Sequence, residues 1–299
     1  KGGKKLMKLL LFIAAVAVVL FVIARFVPRG KTIALYAVLV IVAVVMLFPF
    51  YDMFVMSTRT TKEIFSFPPY LTFGGNLKTN FINMNDAVNF LRAFGNSCII
   101  TFSYVALVLF FCSIAGYAFA IYNFPGRSVL FGILLGTMMI PATAGIIPWY
   151  IMMSKFHWVD TFRALIIPNC ANAFGIYWMR QYCKNNVPVS LVEAARIDGC
   201  SEWTVFFRIV APILLPAYAS LGIMNFVNVW NDFMQPMMIL KSPKLQTLPL
   251  MLRSMVSDRG TDYGAMMLAS TCAVLPLLVA FLCASKYFMS GLTAGAVKE

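Results

Sequence analysis

Seven long apolar runs dominate this chain, and their length restricts what it can fold into. They cover roughly residues 6–27, 34–56, 97–121, 129–152, 164–183, 212–238 and 262–289. A helix of about 20 apolar residues crosses the hydrocarbon core of a bilayer, which is about 30 Å thick. Most of these runs are too long and too unpatterned for the strands of a membrane barrel, which alternate over about 10 residues. Because lipid cannot satisfy backbone polar groups, each run is expected to be helical.

Composition supports the same fold class. The chain is 61% hydrophobic and 12% charged, whereas a soluble domain is roughly half apolar and about a quarter charged. The sequence therefore predicts an all-α polytopic membrane protein built as one bundle. The net charge of +13 comes from basic residues at the ends of the apolar runs, which favours anchoring at the membrane interface over nucleic-acid binding. Basic residues are divided evenly between the two sets of connections, so charge does not orient the chain.

The first run, residues 6–27, raises a separate question because basic residues flank it on both sides. It is long for the apolar part of a signal peptide and lacks an A-x-A-like cleavage site. We interpret it as an extra membrane-spanning helix, with a helix lying at the membrane interface as the alternative. Residues 1–31 are then an N-terminal helix and basic link, and residues 32–299 form the main membrane domain.

Catalytic patterns are missing from the sequence. It contains no Ser/His/Asp set, no metal-ligand cluster and no paired carboxylates within the apolar runs. The seven cysteines have no C-x-x-C spacing, and the single histidine, His157, lies alone in a polar connection. The GKT at 30–32 lacks the first glycine of a phosphate-binding loop, since position 25 is Arg. The sequence thus predicts a protein that is not an enzyme and binds no metal or cofactor.

A polar stretch interrupts the apolar pattern at residues 190–216, SLVEAARIDGCSEWTVFFRIVAPILLP. Ser190 and Glu193 have the spacing of a capping box, which predicts a helix from Leu191 to about Asp198. Gly199 is expected to end this helix in a left-handed or otherwise open conformation.

A second short helix is expected to follow the glycine. Ser201 can cap it, and it would continue through Phe206 and Phe207 toward Val210. Pro212 fits the first turn of the next membrane helix, or a kink before it. The small residues Ala194, Ala195 and Gly199 would let another protein approach closely. The simpler alternative is an ordinary loop at the membrane surface.

This stretch resembles the EAA signature of ABC importer permeases. The matching residues are Glu193, Ala194, Ala195, Asp198, Gly199, Phe206, Ile209, Pro212 and Pro216. Three other stretches are similar to the carbohydrate-importing, maltose-transporter-like branch: GYAFAIYNFPGR at 116–127, FVNVWNDFMQP at 226–236 and GLTAGAVKE at the C-terminus. The resemblance covers residues from about 34 to 299 as six core helices, and the 6–27 run lies outside it.

The resemblance implies a role and an orientation. The loop at about 184–211 would be cytoplasmic and would dock on an ATP-binding subunit, with Glu193, Ala194, Ala195, Asp198 and Gly199 as its coupling residues. Residues 57–93, 153–163 and 239–261 would then lie outside, in a bacterial inner-membrane protein. The implied partners are a second similar permease, two ATP-binding subunits and an extracytoplasmic solute-binding protein, which the third outer loop approaches. ATP and Mg are expected in the ATP-binding subunits.

Polar residues within the apolar runs are candidates for a substrate pathway, because such residues usually face the bundle interior. Asn225, Asn228 and Asp232 recur at i, i+3 and i+7 on one helix face, beside an aromatic face of Phe226, Trp230 and Phe233. Asn169 and Asn172 are expected to share a face of the fourth core helix. The candidate pathway residues are Asn169, Asn172, Asn225, Asn228, Trp230 and Asp232. The alternative is hydrogen bonding between helices.

The expected function is that of a permease subunit in an ATP-driven importer of a sugar or oligosaccharide. Amides and aromatic faces suit sugar hydroxyls and C–H faces, and the resemblance implies alternating access driven by the partner ATPase. Two alternatives stay open. One is a permease for a sugar phosphate such as glycerol phosphate, and the other is a structural membrane protein that recruits a cytosolic partner without transport.

Overall fold

The computed structural model describes residues 30–257 and 260–296, which are helical with connecting loops and include no β-strand. The apolar run at 6–27 lies outside the described residues. The helices are α1 Gly30–Met56, α2 Thr61–Ile64, α3 Leu77–Ala87, α4 Phe90–Ile121, α5 Arg127–Thr137, α6 Ile146–Lys155, α7 Arg163–Ile166, α8 Ala173–Asn186, α9 Val189–Ile197, α10 Glu202–Thr204, α11 Ala211–Ile213, α12 Leu215–Trp230, α13 Met234–Ile239, α14 Leu248–Ser254 and α15 Tyr263–Ala296. A π-helical turn, Val205–Val210, joins α10 to α11, and 3₁₀ turns lie at Ala142–Gly145 and Pro243–Leu245.

Three helices in the described part of the chain are long and apolar enough to cross a membrane. They are Lys31–Met56, Phe90–Ile121 and Tyr263–Cys283. A fourth crossing is possible through the pair Glu202–Ile213 and Leu215–Trp230, which is bent by 76°. The predicted all-α membrane fold is confirmed by these helices.

Three of the predicted runs do not form single helices. The run at 212–238 is divided into α11, α12 and α13. The run at 129–152 is split into α5 and α6 around Pro141 and the 3₁₀ turn that follows it. The run at 164–183 is split into α7 and α8 by a segment that contains Pro168. Proline has no N–H to donate and disfavours helical geometry in the residue before it, so the interruptions at 129–152 and 164–183 have a direct cause in the sequence.

Helix α4 is the centre of the bundle and packs closely against α8 and α12. A Cβ added at Gly116 of α4 would lie 2.6 Å from Cβ of Met179 in α8, so these helices approach at a distance that only glycine allows. Val108 and Cys112 of α4 and Leu221 of α12 are wholly buried in the same cluster. The position of α4 between these neighbours places its two ends at the two candidate sites described below.

The connections gather at opposite ends of α4 in the grouping that the sequence predicts. Near its start, loop 239–261 meets loop 57–93, where Met84 and Met251 share a buried cluster, and also meets loop 153–163. The contacts there include Asn96 Nδ2 to Gln246 O at 2.9 Å, Lys241 N to Asp160 Oδ1 at 2.8 Å and Asn83 Nδ2 to Asp262 Oδ2 at 2.7 Å. Beyond its end, Tyr122 donates a hydrogen bond to the carboxylate of Glu202. The polar stretch therefore lies at the opposite end of the bundle from the predicted outer loops.

Candidate coupling hairpin and polar cavity

Helix α9 begins two residues earlier than the sequence predicts. Its N-cap residue is Pro188, with φ −64° and ψ 128°, and no side chain caps its first turn. The predicted capping box is therefore wrong, because Ser190 lies inside the helix rather than before it. The fixed φ of proline suits the start of a helix, and this overrides the Ser–Glu spacing.

The predicted glycine bend is confirmed. Gly199 has φ +81°, its N–H donates to Arg196 O at 3.0 Å, and the N–H of Cys200 donates to Ala195 O at 3.0 Å. These two bonds form the pattern with which a left-handed residue closes a helix. The predicted second cap is confirmed too, since Ser201 Oγ accepts from Thr204 N at 3.3 Å. We call residues 189–210 the coupling hairpin.

The two faces of α9 differ in burial. Val192 and Ala195, three residues apart, are buried in a cluster with Val205 and Phe206 of the following turn. Ala195 is only 6% exposed, so the expectation that it lets another protein approach is wrong. Its helical position turns it toward the protein's own core.

The outer face of the hairpin combines charge with exposed apolar groups. Glu193, Ala194, Asp198 and Gly199 are all exposed. Beside them Ile197 is 86% exposed, although it ends α9 directly before the bend. Further exposed apolar side chains on the hairpin are Val189, Leu191, Trp203 and Phe207.

A second site lies toward the other end of α4, where a polar cavity of about 300 Å³ opens between helices. It brings together three of the predicted pathway residues, Asn169, Asn228 and Asp232. The rest of its lining is Ser97, Ile100, Thr101, Tyr104, Leu165, Val229, Gln235, Pro236 and Thr247. Amides, hydroxyls and one carboxylate thus surround a space whose lining residues include no lysine or arginine.

The cavity contains polar groups that sequence reasoning missed. Thr101 Oγ1 and Thr247 Oγ1 are buried and have no hydrogen-bond partner among the residues that the structure describes. Buried polar atoms are usually paired, so unpaired ones in a cavity wall are available to a ligand or to water. Ser97, Thr101 and Tyr104 lie on one face of α4. Their spacing of four and three residues was a usable signal.

The other predicted pathway residues bond within the protein. Asn172 caps α8 by accepting a hydrogen bond from Gly175 N at 2.7 Å. Asn169 and Asn172 therefore lie in the break before α8, and the prediction that they share a helix face is wrong. Asn225 is buried and donates to Leu221 O at 2.8 Å.

The predicted aromatic face is mostly core. Trp230 is 2% exposed and its Nε1 donates to Ala273 O at 3.0 Å. Phe226 stacks on it with ring centroids 5.5 Å apart. These two rings pack α12 against α15 and do not line the cavity.

The sequence from 110 to 293 matches the family described as "Binding-protein-dependent transport system inner membrane component". The chain belongs to this family. The predicted membership among importer permeases is therefore confirmed, as is the predicted inner-membrane location. The coupling hairpin lies within the matched region, and α4 and α15 overlap it.

Curated relatives and solved structures agree with this membership. The chain is 33% identical over 275 residues to the arabinooligosaccharides transport system permease protein AraQ of Bacillus subtilis, covering 89% of this chain and 95% of the relative. It is also 33% identical to the lactose transport system permease protein LacG of Rhizobium radiobacter, covering 90% and 97%. The crystal structure of a bacterial ABC transporter for the acidic polysaccharide alginate has a chain with TM-score 0.76 and 22% identity, covering 87% of this permease and 97% of that chain.

Proposed function

We propose that this family member is the membrane-spanning permease of an ATP-driven importer for a sugar or oligosaccharide. The relatives named above are permeases for arabinooligosaccharides and lactose. The cavity agrees with such solutes, because its amides and hydroxyls can exchange hydrogen bonds with sugar hydroxyls. In this proposal Asn169, Asn228 and Asp232 face the solute, while Asn172, Asn225 and Trp230 hold the surrounding helices in place.

The exposed apolar surface of the coupling hairpin is the observation that carries the proposal. An almost fully exposed isoleucine and its apolar neighbours, at an end of the bundle occupied by polar loops, form a surface that favours binding to another protein. We propose that an ATP-binding subunit covers Glu193, Ala194, Ile197, Asp198 and Gly199. Ala195 then supports this surface from inside the hairpin.

The remaining partners follow from the same proposal. A second similar permease completes the pathway, a pair of ATP-binding subunits hydrolyses ATP, and an extracytoplasmic solute-binding protein delivers the sugar. ATP and Mg bind to the ATP-binding subunits, so this permease performs no chemistry and needs no cofactor of its own. Nucleotide binding closes the ATPase pair and moves the hairpin, which alternates access to the cavity between the two sides of the membrane.

The test uses the complex co-expressed with its cognate subunits and reconstituted in proteoliposomes. Labelled lactose, arabinooligosaccharides and glycerol phosphate are offered with the cognate binding protein, and uptake and ATP hydrolysis are measured together. The expected result is ATP-dependent uptake of a neutral sugar with stimulated hydrolysis. Uptake of glycerol phosphate alone would replace the sugar assignment, and neither uptake nor stimulation with any solute would favour a structural protein.

Residues 32–299 form the permease unit in this proposal, and residues 1–31 are an addition to it. Removing residues 1–30 is therefore expected to leave assembly and uptake largely intact in the same assay. Loss of the complex after this deletion would place the N-terminal segment within the core.

A further inference from the structure

Three polar side chains form a contact at the base of the coupling hairpin, which we call the clamp. Arg196 donates from Nε to Glu202 Oε1 at 2.7 Å and from Nη2 to Glu202 Oε2 at 3.2 Å. The hydroxyl of Tyr122 donates to the same carboxylate. The guanidinium carbon of Arg196 also lies 5.2 Å from the centroid of the Tyr122 ring, so each member touches both others.

The clamp joins three separate elements. Arg196 lies in the last turn of α9, Glu202 is the first residue of α10, and Tyr122 directly follows α4. The chain links the hairpin to α8 and to α12, whereas its contacts with the end of α4 are made by side chains such as Glu202, Arg196 and Phe206. A paired arginine–carboxylate bond fixes direction as well as distance, so the clamp sets the angle between the two arms of the hairpin and ties both to α4.

Apolar contacts reinforce the same junction. The ring of Tyr117, in the last turns of α4, lies 5.5 Å from the ring of Phe206 and 5.6 Å from that of Tyr122. Tyr117 and Phe206 are both buried. The clamp therefore lies over a packed aromatic base, which limits sliding of the hairpin along α4.

Helix α4 reaches from the clamp to the cavity. It is one continuous helix of 32 residues without proline, and at 1.5 Å per residue it is about 48 Å long. Ser97, Thr101 and Tyr104 in its first half line the cavity. A displacement at its clamped end is expected to reach these residues, because α4 is one unbroken helix between them.

We propose that the clamp transmits movement of the coupling hairpin to α4 and so to the cavity, with Arg196, Glu202 and Tyr122 as positioning residues for transport. The inference rests on the proposed function, since it takes an ATP-binding subunit as the source of the movement. The simpler role is local stability of a loop, because an exposed ion pair changes an equilibrium by at most roughly fivefold. The two roles differ in what they do to transport per ATP hydrolysed.

Exchanging the charges of Arg196 and Glu202 separates the transmission of movement from a role in local stability. The variants are Arg196→Glu, Glu202→Arg and the double exchange, each in the full reconstituted complex. The readouts are molecules of labelled lactose or arabinooligosaccharide imported per ATP hydrolysed, the amount of ATPase that co-purifies, and the Tm. Each single variant places like charges in contact and is expected to lower import per ATP by roughly fivefold or more. The double exchange is expected to restore most of it. Asp86→Arg is the matched control, since Asp86 is exposed on α3 at the opposite end of the bundle.

Milder variants guard against loss of folding. Glu202→Gln and Tyr122→Phe each remove part of the clamp without reversing charge, and both are expected to lower import per ATP while the ATPase still co-purifies. Unchanged import per ATP in all single variants would overturn the clamp, as would a double exchange that restores nothing. Failure of the proposed function is distinguishable, because the wild-type complex would then show no ATP-dependent uptake at all.

Discussion

Replacing Gly199 tests the coupling hairpin most directly. The residue has φ +81°, where a side chain with a Cβ costs about 1–2 kcal/mol. Apart from its two chain neighbours, no described residue has an atom within 4 Å of the position that this Cβ would occupy. The Cβ itself therefore meets open space, and the internal cost of Gly199→Ala comes from the backbone.

This geometry makes a pair of variants informative. Gly199→Ala and Gly199→Trp carry the same backbone cost of about 1–2 kcal/mol, so a difference between them reports the surroundings of the bend beyond the Cβ position. We expect Gly199→Ala to weaken uptake moderately. We expect Gly199→Trp to abolish uptake and release the ATP-binding subunits, while the permease still folds and pairs with its partner permease.

The assay is co-purification of the ATP-binding subunits with each variant, alongside uptake in proteoliposomes. Gly126 provides the matched control, because it has φ +80°, has no atom within 4 Å of its added Cβ and lies at the same end of the bundle. Gly126→Trp is expected to keep the ATP-binding subunits bound. If Gly199→Trp retains both ATPase and uptake at the level of Gly126→Trp, the hairpin is not the docking element.

Glu193 extends the same test to a side chain. Because α9 begins at Val189 with no side-chain cap, Glu193 does not support the helix start. Glu193→Ala is therefore expected to leave the free energy of unfolding within about 0.5 kcal/mol of wild type, as for ordinary surface changes. A weaker co-purification of the ATPase in this variant would come from docking, and an unchanged one would remove Glu193 from the docking surface.

Three further predictions concern the rest of the bundle. Hydrogen bonds from the Ser242 hydroxyl and from nearby backbone N–H groups lower the pKa of Asp160. Its ionised form therefore stabilises the fold above the usual carboxyl pKa of about 3.9, and this contribution is lost as the pH falls further. Asp160→Asn, which tolerates the left-handed backbone there, should lower stability by about 1 kcal/mol at pH 7. A deficit in thermal unfolding that does not shrink as the pH falls below about 3.9 would contradict this reasoning. Gly116→Ala should destabilise the protein by about 1–3 kcal/mol, because the new methyl would meet α8. Gly132→Ala is the control and should not destabilise it in this way, because its added Cβ meets open space. Equal Tm values for the two variants would refute the close packing of α4 and α8. Val256 is an exposed apolar residue in the outer loops. Val256→Asp should weaken the stimulation of ATP hydrolysis by the binding protein and leave the basal ATPase rate unchanged. Stimulation equal to that of wild type would exclude Val256 from the contact with the binding protein.

The sequence predicted the helical membrane fold because hydropathy acts over whole runs and tolerates local error. It did not predict where three of those runs break, although Pro141 and Pro168 mark two of the places. A count of apolar residues does not detect these breaks, because proline interrupts the helical backbone without making transfer into lipid unfavourable. The prediction of a capping box failed for a related reason. Pro188 precedes the motif and starts the helix at Val189, so Ser190 lies inside the helix and does not cap it.

The candidate cavity was harder to predict than the hairpin. Gly199 and Ser201 could be assigned from local chemistry, because a left-handed residue and a helix cap involve neighbours in sequence. The cavity instead depends on how helices pack, and amides of the same type divide between roles. Asn228 lines the cavity, whereas Asn225, one turn earlier, bonds to its own helix. No pattern of spacing separates these two outcomes without the neighbouring helices.

The positions of the breaks determine which helices of the bundle can bend and which are expected to move as one unit. Several segments around α4, but not α15, are interrupted: α5 and α6 by a 3₁₀ turn, α7 and α8 by a loop, and the path from α10 to α12 by a bend of 76°. Such interruptions can absorb rotation, because their backbone is not held by a continuous ladder of helical hydrogen bonds. Helix α4 has no such joint and touches the hairpin at one end and the cavity at the other. Movement of the hairpin is therefore expected to displace α4 as a rod while the interrupted helices adjust around it.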